Sequence, residues 1–340
     1  MKRILSVIIL AVAVAAGCAP PGPGSAGTVY ITNEKSGDLS VIDVFTKQVV
    51  ATIPLGKRPR GLRASADHAL LYVALSGSPI AGPGVDESTL PPADKSADGI
   101  GIVDLKSRRL LKVLPSGSDP EQVAVSLDGK TLFIANEDAA KISAIDAVSG
   151  TLIAEMAVGG EPEGVNLRPD GKEVWVTSEN DGAVFVITAA KPEVVHQIPV
   201  GHRPRSTTFS PDSTRAYVPA ENDGTVSVID TTTYTVVATI ALSGTDQRPM
   251  GGAISSDGKF LYMTTGRGKT VAIIDTATNT RVGSVEVGPR PWGVAISQDG
   301  TTLFTANGPS NDVSFVDIQA RAVTARVKVG DGPWGALFVP

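Results

Sequence analysis

The sequence predicts an all-β fold, a seven-bladed β-propeller of four-stranded antiparallel blades. Three observations predict it. Short alternating runs rich in Val, Ile and Thr dominate the chain, a unit of 40-odd residues recurs along it, and the two chain ends supply complementary parts of one unit. The 340 residues include 36 Gly and 24 Pro, as expected of a chain with many tight turns.

The repeat is read from the glycines that close each unit: Gly56, Gly117, Gly159, Gly201, Gly244, Gly288 and Gly330, spaced 61, 42, 42, 43, 44 and 42 residues apart. A proline follows each one: Pro59, Pro120, Pro162, Pro204, Pro249, Pro291 and Pro333. Within Ser118–Gly159 the pieces are QVAVS, the turn LDGK, TLFIAN, the turn EDAAK, ISAID, the turn AVSG, and TLIAEMAVG. Four short strands joined by Asp-, Gly- and Asn-rich turns make a propeller blade, with strands a to d running from the axis outward. A solenoid needs a helix or a strand in register at each turn, and a sandwich does not repeat so regularly.

The first unit, TVYITN, LSVID and QVVATIPLG, contains strands b, c and d but no strand a. The final Gly335-Ala-Leu-Phe-Val is a strand a with nothing after it. Pairing the two closes the ring and removes the free sheet edge. Asp43, Asp104, Asp146, Asp230, Asp275 and Asp317 are expected to cap their c–d turns. Asp128, Asp170, Asp257 and Asp299 should do the same between strands a and b. None has the spacing of a calcium loop.

Residues 1–17 read as a lipoprotein signal peptide, 18–27 as a Pro/Gly tether and 28–340 as the propeller. Lys2 and Arg3 form a basic start, and the apolar run Ile4 to Ala16 is too short to span a bilayer comfortably. The only cysteine, Cys18, ends the run Ala-Ala-Gly-Cys, which resembles a bacterial lipobox. The expectation is an exported protein, lipid-anchored through Cys18 on the periplasmic side or cell surface, and monomeric. Net charge is −5 with both signs dispersed, so no basic stripe suggests nucleic acid.

VYITN, LFIAN and VSVID followed by VVATI resemble the YVTN family of propeller repeats over Thr28 to Pro340. More closely, a run of short motifs is similar to a seven-repeat propeller group encoded beside pyrroloquinoline-quinone-dependent alcohol catabolism systems. These are Asn33-Glu34-Lys35, Arg58–Gly61, Asp119–Glu121, Glu137–Ala139, Glu161–Gly164, Arg203–Arg205, Asn307–Ser314 and Pro333–Gly335. The resemblance implies a link to quinoprotein alcohol catabolism and little mechanism. The lipobox and a long loop in blade 2 depart from the group.

In a propeller the residue after each of the seven prolines falls near the mouth of the central channel. Around the ring these are Arg60, Glu121, Glu163, Arg205, Met250, Trp292 and Trp334, with Trp334 beside Arg60. Two readings stay open. Arg and Glu on adjacent blades can neutralise each other while the tryptophans plug the channel. Alternatively, arginine forks grip an anion and tryptophan faces stack on a planar group. A quinone of the pyrroloquinoline type would use both, though no motif demands a cofactor, and a peptide of a protein partner fits the same description.

Where other b–c loops have about six residues, blade 2 has Ser76 to Gly99. This loop is acidic (Asp86, Glu87, Asp94 and Asp98 against Lys95) and reads either as a lid over the mouth or as decoration. Nothing resembles a Gly-x-Ser-x-Gly elbow or a metal-spaced His/Cys cluster, and no Cys-x-x-Cys-His exists. The three histidines, His68, His196 and His202, are scattered. The leading expectation is therefore a non-catalytic envelope module that binds a small anionic ligand or a protein partner, and not an enzyme. One alternative is a lactonase-like hydrolase or lyase using Glu121 or Glu163 with Arg60 or Arg205. The other is a structural adhesin.

Overall fold

The computed structural model describes residues 27–80, 89–244 and 246–340. Cys18 and its flanking segment, with Asp86 and Glu87, lie outside the described residues. No helix among the described residues is long and apolar enough to cross a membrane.

Seven four-stranded antiparallel sheets are arranged as blades. Blade 2 shows the pattern, with strand a Pro59–Ala64, b Leu70–Leu75, c Gly99–Asp104 and d Arg109–Leu114. Strands a of blades 3 to 7 are Pro120–Val125, Pro162–Leu167, Thr208–Phe209, Gly252–Ile254 and Pro291–Ile296. Blade 1 takes strand b Thr28–Asn33 from the start of the chain and strand a Pro333–Val339 from its end. They pair antiparallel, Thr28 opposite Val339 and Ile31 opposite Ala336, so the sequence-predicted closure is present.

The core lies between blades rather than within them. One cluster joins Phe133 and Ile142 of blade 3 to Val174 and Phe185 of blade 4, and another joins Val29 and Ile31 to Phe304 and Phe315 across the closure. Strand b is apolar along nearly its whole length because both faces are covered, whereas strand d alternates and exposes residues such as Leu111 and Val113. The turns form as their aspartates dictate. Asp146 accepts from the amides of Val148 (3.0 Å) and Ser149 (2.7 Å), and Asp128 accepts from that of Lys130 (3.1 Å). Asp67 and Asp212, not singled out from sequence, cap their a–b turns in the same way.

Two backbone devices aim side chains at the axis. The first is a bulge after the strand-a proline: Pro59 pairs with Leu75, but the ladder resumes only at Leu62 opposite Val73. The same shift follows the proline in blades 1, 3, 4 and 7 and carries the next residue toward the channel. A small residue then lets neighbouring inner strands touch. A Cβ on Gly61 would sit 2.7 Å from Gln122 Cα, and one on Gly164 would sit 2.5 Å from the Arg205 carbonyl oxygen.

The second device is the residue before the proline. Arg58, Asp119, Glu161, Arg203 and Arg290 have φ of 40°, 53°, 51°, 57° and 46°. This left-handed conformation is unusual for a side-chain-bearing residue, and more so before proline. In blades 3, 4 and 5 it is held because the carbonyl there accepts the amide that follows strand b of the same blade. Glu137 donates to Asp119, Glu179 to Glu161 and Glu221 to Arg203, each at 3.0 Å. Strain of this kind concentrates where a fold must present particular groups.

Candidate active site at the channel mouth

These devices build a cavity of about 900 Å³ at one end of the channel. Six of the seven predicted mouth residues line it: Arg60, Glu121, Glu163, Arg205, Trp292 and Trp334. Met250 is 2% exposed and outside the lining, packed instead near Gly266. The described flanks of the blade 2 loop, including Pro79, Ile80 and Pro91, also wall the cavity. Arg58 ties one flank down by donating to the carbonyls of Ser78 (2.9 Å) and Pro79 (3.2 Å), and Lys95 bonds Asp138 on blade 3.

The floor consists of two buried guanidinium–carboxylate clusters. Arg60 of blade 2 reaches the acids of blade 3: Asp119 at 2.6 Å, Glu121 in direct contact and Glu137 at 3.6 Å. Arg205 of blade 5 bonds Glu163 (3.0 Å) and Glu179 of blade 4, and Glu221 of its own blade (2.6 Å). Arg203 adds a bond to Glu179 at 2.7 Å. Arg60 and Arg205 are 3% and 4% exposed, so these pairs are little screened by solvent, and removing one partner would leave uncompensated buried charge.

The aromatic side completes the mouth. Trp292 and Trp334 stack with centroids 5.3 Å apart and planes 23° from parallel. The Arg205 and Arg290 guanidinium carbons lie 5.0 Å and 5.4 Å from the Trp292 ring centroid. Burial holds the Arg290 pKa below its ordinary value.

The two clusters differ in proton affinity. Burial, reinforced by neighbouring Glu163, pushes the Glu179 carboxyl up to about 9 despite Arg205 and Arg203, so Glu179 holds its proton at neutral pH. A hydrogen bond links it to Glu163. Burial also raises Glu137, against the pull of Arg60. Asp119 moves the other way: burial works against it, but Arg60 and Ser76 hold its carboxyl below the ordinary value. Glu137 is the member with side-chain access, 28% exposed and lining the cavity, whereas the Glu121 side chain is 3% exposed. Carboxylate oxygens of Asp119, Glu121 and Glu137 lie within 4.8 Å of one another, a metal-like spacing, but Arg60 already supplies the positive charge they face.

Sequence reasoning overlooked Glu179 and Glu221, and it named Glu137 only as part of a motif. A signal was present, since Glu34, Glu137, Glu179 and Glu221 each stand directly after a strand b. Four glutamates at one repeat position place four carboxyls on one face of the ring.

A family model described as "Lactonase, 7-bladed beta-propeller" matches residues 164–328, just under half of the chain. Among curated proteins, none matches the chain. Several solved structures share the fold. A candidate 6-phosphogluconolactonase from Bacteroides uniformis is 20% identical with TM-score 0.76, covering 93% of this chain and 100% of that one. One from Bacteroides fragilis is also 20% identical with TM-score 0.76, covering 95% and 100%. The Kuenenia stuttgartiensis hydrazine synthase is 22% identical with TM-score 0.73, covering 90% and 98%.

The lactonase match overturns the expectation of a non-catalytic binding module, and with it the expectation that the protein is not an enzyme. The matched stretch contains Glu179, Arg205 and Trp292. The match agrees instead with the alternative of a lactonase-like hydrolase. The lack of a histidine cluster weighs little against catalysis where carboxyls have raised proton affinity, and the mouth holds two of them, Glu137 and Glu179.

Proposed function

We propose that the protein is a hydrolase of anionic lactones working at the channel mouth. The observation that carries the reading is the lactonase match over a mouth in which Glu137 opens to the cavity and Glu163, beside Glu179 and Arg205, lines the same wall. Burial raises the proton affinity of both Glu137 and Glu179. A base is most effective when its proton affinity approaches the working pH, and an acid must arrive holding its proton. Glu137 takes a proton from water as the oxygen attacks the lactone carbonyl. The ring C–O bond then breaks, and the departing alkoxide receives the Glu179 proton by way of Glu163, which lines the cavity. The Glu137 proton returns to that pair, and the product is the open hydroxy acid.

The stacked Trp292–Trp334 pair borders the cavity and gives the lactone ring an apolar wall. Arg203, with a 45% exposed side chain, and Arg290 border the cavity and suit a carboxylate or phosphate on the substrate. On the lipobox-like Ala-Ala-Gly-Cys18 run, we place this activity at the cell envelope.

The test is hydrolysis of 6-phosphogluconolactone against an uncharged lactone such as γ-butyrolactone, followed by acid release. Glu137→Gln should lower kcat/KM by roughly 10²- to 10⁴-fold, the usual contribution of a positioned base, and flatten the acid limb of the pH profile. Absence of turnover on every lactone, or full activity in the Glu137→Gln variant, would refute the reading.

A further inference from the structure

The other half of the channel contains a separate cavity of about 360 Å³, lined by strands a of blades 2 to 6 beyond the mouth. We propose that it is a second site, for a small oxyanion bearing a carboxylate or phosphate group, held by Arg63 and the Asn166 amide. Arg63 lies three residues after Arg60 on the same strand, roughly 10 Å along it at a strand's rise per residue. The two sites are thus distinct tiers of one channel.

The chemistry of the lining is one-sided. Arg60 and Arg205 in the mouth each meet three carboxylates. Arg63 meets none among the described residues, and no carboxylate lines this cavity. With no anion to offset burial, the pKa of Arg63 falls below its ordinary value. A partly buried guanidinium without a partner is rare, because its lost hydration is not replaced.

The polar neighbours are donors as well. Asn166 is 9% exposed, and its side-chain oxygen accepts from the Thr207 amide at 3.2 Å. That bond fixes the orientation of the amide and leaves its NH₂ without a partner among the described residues. Thr207 is 4% exposed, and its hydroxyl is buried without a partner among the described residues. A planar guanidinium fork plus an amide donor, in an open cavity free of competing acid, matches the oxygens of a carboxylate or phosphate.

This site is independent of the lactonase reading. The experiment is calorimetric titration of the full protein with inorganic phosphate and, separately, acetate at constant ionic strength. One or both should bind saturably, and the tighter of the two identifies the group. Arg63→Met should weaken that binding at least tenfold, and Asn166→Leu severalfold. Any additional anion binding at the mouth should fall in Arg203→Met, which should leave the Arg63-dependent component unchanged. Lactone turnover should be unaffected by Arg63→Met, and its melting temperature in anion-free buffer should not fall, since an unpaired charge has been removed. Equal binding by wild type and Arg63→Met, or no binding by wild type, overturns the proposal. Should Arg63→Met fail to fold, Asn166→Leu decides by the same criterion.

Discussion

Deleting Gly335 to Pro340, only six residues, is expected to abolish cooperative folding of the whole protein. The segment forms most of the innermost strand of blade 1, and its loss strips the partner from Thr28–Asn33. Val29 and Ile31, both fully buried, would lose part of their cover along with the packing of Ala336 and Phe338 across the closure. The Gly335 amide that donates to Thr32 Oγ1 (2.9 Å) disappears too. The damage does not stay local, because every interblade cluster relies on a closed ring. Opening it leaves an unpaired hydrophobic edge, a template for aggregation. Far-UV circular dichroism and size-exclusion chromatography would show lost sheet structure or large aggregates. A truncated protein that stays monodisperse and melts at the wild-type temperature would show that blade 1 closes by other means.

The scaffold was legible because it is written seven times. Glycine spacing, strand alternation and Asp turns each repeat, so local errors average out, and the chain ends fixed the closure. Six of the seven residues placed at the channel mouth from the Pro-x pattern line the cavity. Met250 does not: Pro249, unlike the other six prolines of the repeat, has no partner in its sheet among the described residues, and the Met250 side chain packs beside Gly266.

The chemistry was harder to read because it depends on depth. Glu121 and Glu137 are the same residue type facing the same arginine, yet their side chains are 3% and 28% exposed. Nothing in the local sequence of either glutamate states how much water it retains. Arg63 went unnoticed for a similar reason, since an arginine within a strand draws attention only when its surroundings prove to lack an acid.

Replacing Arg205 with Met should be the most damaging single substitution in the mouth, and its cost should depend on pH. Arg205 is 4% exposed and serves Glu163, Glu179 and Glu221 together. Removing the cation leaves buried carboxyls facing one another, a loss of about 3–5 kcal/mol for a broken buried ion pair. Arg203 offsets part of this through Glu179 (2.7 Å) and Glu221 (3.5 Å), but its side chain is 45% exposed and screened.

The wild type already shows the sign of the pH effect. Glu179 titrates at about 9 in the folded protein against 4.5 for an unperturbed glutamate. Between those values the folded state holds the extra proton, so stability falls as pH rises through that window and is regained toward pH 5. In Arg205→Met the remaining carboxyls join this behaviour, making the slope steeper, and acidification should recover much of the lost stability. Glu179→Gln, neutral at every pH, should flatten the wild-type slope instead. Urea unfolding at pH 5, 7 and 8.5 separates the three proteins. An Arg205→Met variant within 1 kcal/mol of wild type at pH 8.5 would mean that water, rather than Arg205, solvates these acids. In that case Glu179 could not hold its proton, and the acid assigned to lactone opening would have to be sought elsewhere in the mouth.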